Sequence, residues 1–158
     1  NQHFLLTLKT LYRKSTISVI LSSLTQTARI RKFLKNLADK GLIQKAAVDI
    51  KACPENYPSL SGLLHPPLDA VRETVDFLLH GNLDYEFRTT VVKELHNEED
   101  FVRIGQWLKG ARGYYLQAYK DSEEVLQPGF SSYSLEELEH FREILLENIS
   151  RVEIRGID

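Results

Sequence analysis

The chain has 158 residues, one cysteine, no methionine and a formal net charge of −2. This length is typical of one compact domain, and the near-neutral charge argues against a broad nucleic-acid or membrane surface. A single thiol, Cys53, allows no disulfide framework or multi-thiolate metal site within the chain, and it suits a reducing cytosol. No stretch has the pattern of a signal peptide or a transmembrane run. We expect one cytoplasmic domain over residues 1–158.

Apolar residues follow helical and strand spacing in turn along the chain. In chain order the predicted elements are a helix at 4–12, a strand at 17–22, a helix at 30–37, a strand at 46–51, a helix at 68–78, a strand at 84–92, a helix at 101–108, a strand at 113–119, a helix at 138–145 and a strand at 152–155. One strand and helix recur roughly every 30 residues, which is typical of parallel strands joined by right-handed crossovers. The predicted class is therefore α/β.

Boundary residues agree with these elements. Pro66 opens the helix that Gly81 closes, Asn97 can cap the next helix, and Ser134 with Glu137 forms a capping box for the last. The acidic residues that follow Asn97 and Ser134 suit the positive end of a helix dipole, so we interpret them as stabilising features.

The strand predicted at 84–92 carries charge where a buried strand would be apolar. Alternation places Glu86, Arg88 and Thr90 on one face and apolar residues such as Phe87 on the other. A solvent-exposed polar face is the simplest explanation, and an ion pair there would contribute about 0 to 1 kcal/mol.

The other strands show polar residues near their ends as well. Asp49 and Lys51 lie two residues apart at the end of one strand, and Gln117 lies near the end of another. Because the carboxyl ends of parallel strands meet at one edge of a sheet, these side chains predict a binding site there.

The remaining reactive side chains give no catalytic or metal site. The five histidines are far apart, without the H-x3-H spacing of a metal-binding helix, and we expect them at helix ends or on exposed faces. Cys53 precedes Pro54, so we interpret it as a loop thiol beside a turn. No catalytic residue is predicted within this chain.

Several segments together resemble a known family. They are Ala47–Ala52, Glu55–Pro58 with Gly62, Leu83–Val92, Glu98–Asp100, Tyr114–Ser122 and Val152–Asp158. Over about residues 41 to 158 the chain resembles the activating proteins of anaerobic ribonucleoside-triphosphate reductases. These are radical S-adenosylmethionine (SAM) enzymes, related to the pyruvate formate-lyase activating enzymes.

The resemblance implies a partial (β/α)6 barrel, of which this chain would be the C-terminal part with about four parallel strands and a closing segment. Family members hold a 4Fe-4S cluster on a C-x3-C-x2-C loop and cleave SAM to a 5′-deoxyadenosyl radical, which forms a glycyl radical on the partner reductase. This chain has no such loop, so the cluster ligands would lie outside it. An electron donor such as flavodoxin or ferredoxin is implied as a second partner.

The family's SAM-binding residues can be carried over to matching positions. By this resemblance Arg88 would bind the SAM carboxylate, Asp49 would accept from a ribose hydroxyl or orient Lys51, and Glu86 would hold Arg88 in position. Gln117 and the backbone near Tyr119 would support the adenine.

The strand before Asp49 departs from the family pattern. Family members carry an Asp-Thr-Asn-Gly-like sequence there, which this chain lacks, so Ser22 and Ser23 are only candidate neighbours of the pocket. A diverged or inactive member is therefore an open alternative.

Another alternative is a cluster-free half-barrel that binds a protein partner as a scaffold. An unrelated hydrolase or aldolase half-barrel would need a nucleophile with a nearby base, and the sequence offers no obvious one. In each case the first strand would present an unpaired edge, so we expect the chain to self-associate.

Overall fold

The computed structural model describes residues 18–21, 29–61, 68–120 and 129–157. Their elements are β1 (Ser18–Leu21), α1 (Arg29–Asp39), β2 (Lys45–Asp49), α2 (Tyr57–Ser61), α3 (Leu68–His80), β3 (Asp84–Val91), α4 (Glu98–Trp107), β4 (Tyr114–Ala118), α5 (Leu135–Leu146) and β5 (Val152–Arg155). The helix predicted at 4–12 and the proposed helix start at Pro66 lie outside the described residues.

The strands form one sheet in sequence order, β1-β2-β3-β4-β5, and every neighbouring pair is parallel. The predicted α/β class and the parallel strands are thus confirmed, and the architecture is that of a partial barrel. Sequence periodicity did not predict α2, because a helix of five residues is too short to show a helical stripe.

One face of the sheet packs against the helices. Phe87 lies on this face, and Phe101 of α4 stacks on Phe141 of α5 at a ring distance of 4.6 Å. The core cluster includes strand residues at alternate positions, namely Ala46, Val48, Tyr85, Phe87, Val91, Tyr114, Leu116 and Val152. This alternation leaves the intervening side chains on the opposite face, which we call the inner face.

The predicted capping residues are confirmed at two helices. The Asn97 side chain accepts from the Asp100 amide, and the Asp100 carboxylate accepts from the Asn97 amide. Ser134 and Glu137 form the same reciprocal pair at α5. These side chains satisfy amides that the first helical turn leaves without partners.

The inner face carries an ion-pair cluster around Glu86, which is itself buried. Its carboxylate lies 2.9 Å from Lys45 Nζ and 3.2 Å from Arg155 Nη1, while the Arg155 guanidinium lies 3.3 Å from the centre of the Tyr115 ring. The predicted contact between Glu86 and Arg88 is therefore wrong. Glu86 instead pairs with Lys45 of the neighbouring strand β2 and with Arg155 of β5, whose long side chain reaches past β4.

The environment of Glu86 has two opposing effects on its pKa. Burial alone would raise it, but hydrogen bonds and charge from Lys45 and Arg155 outweigh burial, and the pKa is lowered. A carboxyl whose pKa is lower in the folded state stabilises the fold above its unfolded pKa of about 4.3. This stabilisation is lost as the pH falls through the folded value.

We predict that Glu86→Gln lowers the free energy of unfolding at pH 7 by about 1 to 3 kcal/mol, since two cations lose their counter-charge. The difference between wild type and variant should shrink as the pH falls below about 4. Urea unfolding at a series of pH values measures both effects. Glu73→Gln is the control, because the Glu73 side chain is 47% exposed and pairs with Arg31 at the surface. Equal stability of wild type and Glu86→Gln at pH 7 would contradict the prediction.

Candidate functional site

A pocket of about 230 Å³ lies at the C-terminal ends of β2, β3 and β4. Its polar or partly polar lining residues are Asp49, Lys51, Thr90, His96 and Tyr119, and its apolar ones are Ile50, Leu60, Val92, Leu95 and Phe130. The sequence predicted a site at this edge of the sheet. Three of the predicted residues, Asp49, Lys51 and Tyr119, border the pocket together.

Asp49 forms an ion pair with Arg88, which lies directly opposite it on β3. The Arg88 Nε donates to Asp49 Oδ1, and both side chains are less than one-fifth exposed. Asp49 thus orients Arg88, and the predicted orientation of Lys51 by Asp49 is not what the structure shows. Within the described part of the chain, the terminal guanidinium nitrogens of Arg88 form no hydrogen bond.

Lys51 follows β2 and is exposed at the mouth of the pocket. Its ammonium forms no ion pair with any of the described residues. An unpaired ammonium beside a pocket can bind an anionic group of a ligand without first losing a protein partner.

His96 is buried and ties the ends of two strands together. The Val92 amide donates to His96 Nδ1 at 3.2 Å, so Nε2 carries the proton and donates to the Lys51 carbonyl at 2.9 Å. The expectation that the histidines lie at exposed positions is therefore wrong for His96, which is 5% exposed. His96 follows a turn and lies outside any periodic segment, so sequence periodicity could not indicate its burial.

A second buried group, Asp100, joins the loop after β2 to the start of α4. Besides the Asn97 amide, its carboxylate accepts from the Asn56 side chain and from the Cys53 thiol, the latter at 3.3 Å. Burial raises the pKa of the Cys53 thiol, and the Asp100 carboxylate raises it as well. Cys53 is thus a hydrogen-bond donor in a buried turn and has a structural role.

Phe130 lines the pocket, and contacts with the rest of the fold hold its segment, residues 129–133, in place. Phe130 meets the Tyr119 ring edge-on at 6.2 Å, and the Tyr133 hydroxyl donates to the His96 carbonyl at 2.6 Å. The Ser131 amide donates to the Glu94 carboxylate, and the Lys93 amide donates to the Ser131 carbonyl at 3.0 Å. Sequence analysis missed Phe130 because this segment has no periodic pattern.

The other predicted site residues lie elsewhere. Glu86 and Gln117 do not line the pocket: Glu86 belongs to the ion-pair cluster, and Gln117 is partly buried on β4 opposite Thr90. Ser22 and Ser23 lie outside the described residues. Within the described ranges no three metal-ligating side chains are grouped, and no helix there has the length and apolarity to cross a membrane.

No protein-family model matches this sequence, and no curated protein matches it. Among solved structures, the chain is similar to the crystal structure of a domain of pyruvate-formate lyase-activating enzyme from Bacteroides vulgatus ATCC 8482. The TM-score is 0.63 at 12% sequence identity, and the alignment covers 88% of this chain and 80% of that one. At this identity the similarity shows the fold, a parallel α/β partial barrel shared with a domain of an activating enzyme.

Proposed function

We propose that this chain binds SAM as part of a radical SAM enzyme that installs a glycyl radical on a partner protein. The observation that carries the proposal is the pairing of Asp49 with Arg88, beside the free ammonium of Lys51, at the C-terminal edge of this sheet. The similarity in fold to a domain of an activating enzyme supports it. We further propose an anaerobic ribonucleotide reductase as the partner, on the resemblance in sequence.

The residues of the pocket fit the functional groups of SAM. Lys51 can bind the carboxylate by a charge-assisted hydrogen bond, and Asp49 can accept from the ammonium or a ribose hydroxyl. Phe130 and Leu95 provide apolar surface for the adenine, beside the backbone near Tyr119. In this assignment the carboxylate partner at the pocket is Lys51, since Arg88 does not line the pocket.

In this assignment Arg88 affects SAM binding indirectly, by orienting Asp49. Its Nε fixes the Asp49 carboxylate, and its terminal nitrogens remain available to a ligand that extends toward the inner face. Glu86 and Gln117 lie on the same face, where Glu86 adds negative charge near Arg88 without contact with SAM, and no role in SAM binding is proposed for Gln117.

The residues of this chain do not fit a 4Fe-4S cluster. The chain has one cysteine, and that thiol is buried and donates to Asp100. The cluster, which enables SAM to supply a 5′-deoxyadenosyl radical, would need thiolates from outside this sequence. A flavodoxin or ferredoxin as electron donor and a cytoplasmic location belong to the same proposal.

Calorimetric titration of SAM tests the role of Lys51. We expect Lys51→Gln to weaken SAM binding by about 1.5 to 3 kcal/mol, the range for a hydrogen bond to a charged group. We expect Arg88→Lys to weaken it too, since lysine keeps the charge but loses the planar geometry that holds Asp49.

Lys35→Gln is the matched control for this titration. Lys35 is an exposed lysine of α1, where it pairs with Asp39, and it does not line the pocket. Equal SAM affinities of wild type and Lys51→Gln would remove Lys51 from the site. Absence of SAM binding by the wild type would instead favour the cluster-free scaffold.

Anaerobic reconstitution with iron and sulfide tests the cluster assignment. We expect this chain to bind no stoichiometric 4Fe-4S cluster and to leave SAM intact, because one thiol cannot replace three. Electron paramagnetic resonance after reduction measures the cluster, and chromatography of the products measures SAM cleavage. A full cluster signal would show that the ligands lie within this chain.

A further inference from the structure

One flank of α5 carries large apolar side chains in contact with solvent. Leu135 is 50% exposed and Leu146 is 42% exposed, and between them lie Glu139 and Arg142. These four residues follow one another at intervals of four, three and four, so they form a single stripe along the helix. We call this stripe the α5 seam.

The α5 seam lies on the side of the helix away from α4. The α4 side is marked by Phe141, which stacks on Phe101, and by Leu145 and Asn148, which lie beside Gly105. Leu138 is buried toward the core. The seam residues lie at the remaining side of the helix, next to the end of the sheet.

The sheet ends at β5, which is the last strand in the order and pairs only with β4 among the described residues. No strand of the described ranges occupies its outer edge, which has the backbone groups to pair with another strand. α5 packs on both β5 and β4, so the open edge and the α5 seam are adjacent parts of one surface.

The α5 seam is complementary to itself under two-fold symmetry. If two copies of α5 pack antiparallel, Leu135 meets Leu146 of the second copy, and Glu139 meets its Arg142. The reverse contacts form at the same time, because both pairs are centred on the same point between residues 140 and 141. The contact would thus pack leucines against leucines at both ends. At its centre, the Glu139 and Arg142 side chains of the two copies would form two ion pairs between the helices.

Arg142 has unused hydrogen-bonding capacity in the single chain. Its Nε lies 3.1 Å from Glu139 Oε2, yet it forms no well-directed hydrogen bond. Among the described residues it is the only buried side-chain nitrogen or oxygen without such a partner. The Arg142 side chain as a whole is 39% exposed, so its terminal nitrogens can meet a carboxylate from a second copy.

We propose that a second copy of this chain docks on the α5 seam to form a two-fold symmetric dimer. Neighbouring strands are about 4.8 Å apart, so joining the two β5 edges would place the two α5 axes about two strand spacings, roughly 10 Å, apart. This separation falls within the range at which helices pack. The dimer does not depend on SAM binding, and it leaves the β1 edge accessible.

Charge reversal tests the proposed contact by sedimentation over a wide concentration range. Glu139→Arg and Arg142→Glu each bring like charges together at two places, so each should raise the dimer dissociation constant by at least about tenfold. The double variant should restore the wild-type constant, and an equimolar mixture of the two single variants should form heterodimers. Glu147→Arg is the control: it reverses an exposed charge outside the seam and should leave the dimer dissociation constant unchanged.

Cysteine cross-linking tests the antiparallel direction independently. Leu135→Cys mixed with Leu146→Cys should give a disulfide-linked pair under mild oxidation, and Leu135→Cys alone should not. The native thiol is fully buried and should stay unreacted. A wild type that is monomeric at every concentration overturns the proposal. A dimer whose dissociation constant is unchanged by both charge reversals also overturns it. That result would assign association to another surface, such as the β1 edge.

Discussion

The inner face of the sheet depends on ion pairs between strands, which compensate the buried or partly buried charges of Glu86, Asp49 and Arg88. Arg88 meets Asp49 across the β2–β3 register, and Glu86 meets Lys45 from β2 and Arg155 from β5. A slip of one residue would turn these charges toward the apolar core, where an unpaired charge is costly. The ion pairs therefore fix the register of the strands. They also fix the edge of the sheet at which Asp49 and its neighbours border the pocket.

The fold could be predicted from the sequence because it depends on local patterns. The alternation in β3 indicated a strand, and the capping residues Asn97 and Ser134 indicated where two helices begin. The order of strands and helices along the chain then indicated a parallel sheet. The partners of Glu86 could not be predicted in this way. Its cations come from residues far away in the sequence, and only the packed sheet brings them together.

The candidate site was predicted in part for the same reason. Asp49 and Lys51 could be identified because polar residues at strand ends share an edge in a parallel sheet. The burial of His96 and Asp100 could not, since a buried imidazole after a turn or a buried carboxylate in the first turn of a helix is recognisable only by its hydrogen-bond partners. His96 satisfies backbone groups that follow β2 and β3, and Asp100 joins the loop after β2 to the start of α4.

The cluster around Glu86 also links residues made at different times during synthesis. Arg155 follows Glu86 by 69 residues, and the two side chains meet only when β5 has joined the sheet. A ribosome-bound chain that has released β3 but not β5 therefore holds Glu86 with Lys45 as its one cation in the cluster. Completion of the inner face must wait until β5 has left the exit tunnel, so Glu86 gains its second cation only after residue 155 has emerged.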